Sequence, residues 1–140
     1  MIRRAGVVLA ALAAFTGLTG FQAPERYAVG QVWEYRTRPG DEGSLLKIQR
    51  IEAFGPPERG EHVYHISVIG FRLRNGGTVL EHSPVSQETL DASVTRLGDQ
   101  TVEFPEPANG ILDWKAHNGG VFTITVAEII ELIDRQTSGR

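Results

Sequence analysis

The chain has 140 residues, of which 41% are hydrophobic and 22% charged, with a formal net charge of −3 and no cysteine. That length accommodates one domain around one two-layer core. The mildly acidic balance argues against a nucleic-acid surface built from clustered Lys and Arg, and the missing thiols exclude disulfides, a soft-ligand zinc centre and a lipid-modified cysteine anchor.

The first element is a secretory signal. Arg3 and Arg4 precede an apolar run from Ala5 to about Leu18, and small and polar residues follow. The run is shorter than the roughly 20 residues that cross a bilayer, so the mature form is expected to have no membrane span. No Ser or Thr precedes Arg3, which favours the general export route over the twin-arginine route. Cleavage is expected between 20 and 23, giving a signal peptide over 1–20 and a single domain over 25–136. The expected location is outside the cytoplasm, periplasmic or secreted.

From Gln31 to Arg38, Trp33, Tyr35 and Thr37 alternate with Val32, Glu34 and Arg36. This predicts a strand with its aromatic rings on the packed face. Pro39-Gly40 predicts a type II turn, with Pro setting φ and Gly accepting a positive φ, lengthened by Asp41, Glu42 and Gly43. Ser44 to Phe54 returns as a second strand, and the shift of its apolar phase from Leu46 and Ile48 to Ile51 and Ala53 predicts a bulge near Gln49 and Arg50. After the Pro56-Pro57 break, Glu61 to Arg74 reads as a third strand, joined by Asn75-Gly76-Gly77 to a fourth over Thr78 to His82.

Past Pro84 the period changes. Leu90, Val94 and Leu97 predict a helix capped by Ser86 and ended by Gly98. A loop with Pro105, Pro107, Asn109 and Gly110 carries Trp114, and Val121 to Ile124 reads as a fifth strand. Thr125 and Glu128 form a capping box ahead of a helix whose stripe is Val126, Ile129, Ile130 and Ile133. The predicted fold is α+β: an antiparallel sheet of about five strands with two helices packed on one face.

The pieces GQVWEYRTRPGDEGSLLKI, PVSQETLDASVTRL and GVFTITVAEIIELI, in that order, resemble a group of short, uncharacterised exported bacterial proteins. The similarity covers most of the mature chain. It implies no activity and carries over no catalytic residue.

Residue chemistry assigns no metal site and no cofactor. His62 and His65 fall on opposite faces of a strand, and His82 is expected across the hairpin near Gly70, far from both. Asp41, Glu42 and Ser44 lack the EF-hand pattern and read as a solvated loop. No catalytic residue is assigned either. Ser67 shares a face with His65 but stands about 7 Å from it by the strand rise, and no nucleophile elbow, phosphate loop or dinucleotide fingerprint occurs.

Recognition remains. Trp33 and Tyr35 are assigned to the core, and the candidate binding residues are Trp114, Arg36 and Arg38. Trp114 has polar, turn-rich flanks in Asp113, Lys115 and His117. As an exposed loop residue its truncation to Ala is expected to cost less than about 1 kcal/mol. The function expected is a small exported non-enzymatic binding domain with a protein or envelope partner. The alternative is a small periplasmic hydrolase or ligand-binding pocket domain, which an enclosed polar cavity would favour.

Overall fold

The structure is a computed structural model that describes residues 26–138; the expected signal peptide over 1–20 and its cleavage between 20 and 23 lie outside the described residues. Five strands, β1 (Val32–Tyr35), β2 (Leu45–Ala53), β3 (His62–Ile69), β4 (Val79–Val85) and β5 (Val94–Leu97), form one sheet in the order β4-β3-β2-β1-β5. Every neighbouring pair is antiparallel. Three helices accompany them: α1 (Gln87–Ser93), α2 (Ala108–Ala116) and α3 (Val126–Ser138). The fold is α+β.

Local signals set the first half of the sheet. Asp41 N donates to Arg38 O at 3.0 Å across Pro39-Gly40, and Gly40 takes φ +95°, the left-handed value the third position of this turn requires. A second turn, closed by Ser44 N to Asp41 O at 3.0 Å, completes the reversal into β2. The β2–β3 register shifts between Ile48 and Arg50. That bulge at Gln49 moves Ile51 onto the face of Leu46 and Ile48 and so preserves one apolar surface along β2.

Trp33 and Tyr35 are buried on that same face, with Leu46, Ile48, Tyr64 and Ile66. α1 and α3 cover it. Leu90, Val126, Ile129 and Ile130 bury fully against the sheet, each contributing about 2 kcal/mol by area. Ser86 caps α1 by accepting from Thr89 N at 3.1 Å. The capping box of α3 is reciprocal, with Thr125 N donating to Glu128 Oε1 at 2.9 Å and Glu128 N to Thr125 Oγ1 at 3.1 Å.

Three expectations about the helices and the last strand are corrected. The helix predicted to run through Leu97 ends at Ser93, and the residues after it become β5. Val94 and Thr95 are β-branched and suit a strand, and the outer edge of β1 would otherwise be left unpaired. Arg36 N to Ser93 O at 2.9 Å and Gly98 N to Val32 O at 2.7 Å bracket the new pairing. Secondly, Val121 to Ile124 is no full strand. It contributes one parallel bridge between Phe122 and Val85.

The third correction places Trp114 on a helix rather than a loop. Its ring and that of His65 meet, and His65 alternates along β3 with Tyr64 and Ile66, which face α1 and α3. α2 therefore covers the opposite face of the sheet. The expected arrangement of two helices on one face describes α1 and α3, and a third helix lies behind them across the sheet.

Candidate functional site

The three candidate binding residues do not form one surface. Arg36 is exposed and its Nη1 donates to Ala92 O at 3.1 Å, near the end of α1. Arg38 is a structural clamp. Its guanidinium reaches Asp41 Oδ2 at 2.8 Å, Glu131 Oε1 and Asp134 Oδ2 at 3.0 Å each, and Arg72 O at 2.8 Å, so most of its donors are engaged inside the protein. It ties the β1–β2 turn to α3, on the face away from α2.

Asp41, expected in a solvated loop, is buried beneath this guanidinium, because the double turn folds it back toward Arg72, whose N–H it accepts at 2.9 Å. Asp134 is also buried. The backbone N–H of Arg74 at 2.9 Å is the main cause holding its carboxyl down at about 2; burial opposes this, and Arg38 reinforces it.

Trp114 occupies the other face. It is half-buried, in a T-shaped contact with His65 at 4.9 Å between ring centroids, with its neighbour Phe54 at 6.1 Å and its Nε1 donating to Gly120 O at 2.8 Å. A methyl group on Gly119 would overlap the indole Cδ1, so only glycine lets the turn after α2 close over the ring. Phe54, Trp114, Lys115, Asn118, Gly119 and Gly120 line a depression of about 460 Å³ that is open to solvent.

Beneath Trp114 runs a hydrogen-bonded chain that sequence reasoning missed. His65 is wholly buried, with Nε2 at 3.2 Å from Glu52 Oε1 and Nδ1 at 2.8 Å from His82 Nε2. The two rings stack at 5.0 Å. Glu52 Oε2 in turn pairs with Lys115 Nζ of α2 at 3.0 Å and lies 3.8 Å from Arg50. One arrangement of protons satisfies every link: His65 Nε2–H donates to Glu52, and His82 Nε2–H donates to the bare Nδ1 of His65.

Burial lowers the pKa of His65 despite the pull of Glu52, and burial together with the neighbouring His65 pushes His82 down to about 4. Both rings are neutral near pH 7. For Glu52, burial works upward but is outweighed by its bonds to Lys115 and His65, and its carboxyl lies below the usual range.

His82 meets His65 because β3 stops earlier than the sequence reading supposed. The chain leaves the ladder at Ile69, and Gly70 N bonds to Thr78 O at 3.0 Å across a loop that buries Phe71 in the core. A register shift between Ile66 and Val68 adds one residue to β4. His65 then pairs with Pro84, and His82 stands diagonally beside it on the same face. A large apolar residue at Phe71 amid Arg72, Arg74 and Asn75 was the one signal that the strand had already ended.

Ser67 lies on the same face with its hydroxyl bonded within the protein. Its Oγ donates to Glu81 O at 2.7 Å and accepts from Gln49 Nε2 at 3.2 Å. Among the described residues, no three His, Cys, Asp or Glu side chains are grouped to hold a metal ion. Comparison with family models, curated proteins and solved structures returns no match, so the class of protein is argued from this geometry.

Proposed function

We propose that this chain is a small exported, non-enzymatic interaction domain that contacts a protein or envelope partner through the Phe54–Trp114 depression. One observation carries the reading: a half-exposed Trp, held rigid by Gly120 O, His65 and Phe54, sits at the wall of an open depression with Lys115 at its rim. A rigid aromatic anchor has already lost its rotamer freedom, so a partner gains contact area without a further ordering cost. Export rests on the order of charge and apolar residues before Leu18.

The competing reading is a small hydrolase or ligand-pocket domain. It draws on the Glu52–His65–His82 chain, which resembles the orienting half of an acid–base system. Binding is favoured because both ring nitrogens of His65 are engaged within the protein and the nearest hydroxyl, that of Ser67, is committed to backbone and to Gln49.

The test is occlusion. Gly120 has open space around its Cα and no positive φ, so Gly120→Arg fills the rim without disturbing the fold. Affinity capture from an envelope extract, with wild-type and Gly120→Arg as paired baits of equal stability, is expected to yield a species held by the first and lost by the second. Equal capture by both refutes the surface.

A further inference from the structure

We propose that the His65–His82 pair is an acid-operated latch, whose double protonation releases α2, and the Trp114 surface it carries, from the sheet while α1, α3 and the strands stay folded. The inference deepens the binding reading, since it regulates the same surface, but its readout needs no partner.

The geometry makes the pair sensitive to a second proton rather than to the first. One added proton has a place on His82 Nδ1, the ring nitrogen outside the link, and it leaves the His82 Nε2–H bond to His65 Nδ1 intact across 2.8 Å, with Glu52 behind His65 as counter-ion. A second proton leaves two N–H donors facing each other across that distance with no acceptor between them. Glu52 cannot serve both rings, because its other oxygen is held by Lys115.

Neither ring can turn aside freely. His65 is wholly buried, its ring in T-shaped contact with that of Trp114. His82 is the half-exposed partner, but the backbone of α2 rests on it at Gly110, where a Cβ would stand 2.6 Å from the Cβ of His82. Rotating His82 toward water therefore displaces α2. The charged and titratable groups facing the pair are Glu52 and Arg50 from β2 and Lys115 from α2. Two of these three are cations, so the surroundings oppose a double charge. Each ring's pKa already lies below its ordinary value, in the direction this requires.

The rest of the fold is insulated. α1 and α3 pack on the other face of the sheet, and of the four histidines, His62 and His117 are exposed and outside the chain. α2 is attached to the sheet by Ile111, the Gly110 backbone against His82, the Trp114–His65 ring contact and the Lys115 bond to Glu52, and three of these four meet the histidine pair or its counter-ion.

The two tryptophans provide the test. Trp33 Nε1 bonds to Gln31 Oε1 and Trp114 Nε1 to Gly120 O, so the assigned indole N–H signals report the sheet and α2 separately. Titrating the mature protein from about pH 7 to about pH 4 is expected to shift the Trp114 signal to a solvent-exposed position while Trp33 holds. His82→Gln, which keeps a donor toward His65 but takes no proton, is expected to abolish the transition. A Trp114 signal unmoved at the acid end, both indoles moving together, or a transition surviving in a folded His82→Gln variant overturns the latch. Should that variant not fold, the wild-type comparison of the two indoles decides alone. Failure of the latch with Gly120→Arg still blocking capture leaves the binding reading standing.

Discussion

Gly110 of α2 lies so close to His82 of β4 that a methyl group at residue 110 would stand 2.6 Å from the His82 Cβ, well inside van der Waals separation. The helix backbone itself, not a side chain, is the surface that meets His82, while the Trp114 ring lies against His65.

Gly110→Ala is therefore expected to destabilise the fold although it improves helix propensity. The propensity gain is about 1 kcal/mol and the overpacking cost about 1–3 kcal/mol. Gly119→Ala, whose methyl would overlap the Trp114 indole, is expected to act in the same direction. Thermal melts should show a midpoint lowered by several degrees in each. A raised midpoint for Gly110→Ala would mean that α2 sits farther from the sheet.

Trp114→Ala is expected to cost about 2 kcal/mol rather than the value below 1 kcal/mol that a free loop residue implies, because the ring packs on His65 and Phe54. Trp33→Ala should cost more, about 3–5 kcal/mol, since that ring is only 7% exposed and meets Tyr27 edge-on at 5.8 Å. Urea unfolding of the two variants checks the order, and equal losses would contradict the half-buried placement of Trp114.

Arg38→Met is expected to lose about 3 kcal/mol, because it leaves Asp41 buried without its cation and Asp134 with only the longer contact to Arg74 at 3.4 Å. Arg38→Lys should recover only part of this, since a point charge cannot span Asp41, Asp134, Glu131 and the Arg72 carbonyl at once. Capture assays with a folded Arg38→Lys variant should be unchanged, which distinguishes a clamp from the contact residue the sequence pointed to.

The acid dependence of stability has two separable parts. His82 titrates near about 4 in the folded state and about 6.5 when unfolded, so the unfolded chain binds more protons as pH falls below about 6.5 and stability declines down to about 4. The loss should total about 1–2 kcal/mol once solvent screening of a half-exposed ring is allowed for. Asp134, depressed to about 2, stabilises above its unfolded value, and that contribution is lost only as pH falls further toward 2. His82→Gln should shrink the upper part of the pH profile by the share of His82, leaving that of His65, whose pKa burial also lowers, and leaving the lower part unchanged; a profile without the upper part in wild type would show that the pair is not desolvated.

What the sequence determined by itself is what depends on neighbours along the chain. The Pro39-Gly40 turn, the Gln49 bulge, the Ser86 cap, the Thr125–Glu128 box and the burial of Trp33 and Tyr35 each follow from a few adjacent residues whose hydrogen bonds or side-chain alternation close locally. The tertiary structure alone decided the rest. Val94 to Leu97 left a helical pattern because the edge of β1 offered backbone partners, a gain invisible within a window of a few residues. Trp114 moved from loop to helix because Ile111 and Gly110 could close on the sheet. His65 and His82 met because Phe71 was drawn into the core and an added residue in β4 shifted the register. A shift of one residue decides which side chains share a face, and the difference in core packing that selects it is spread over the whole molecule.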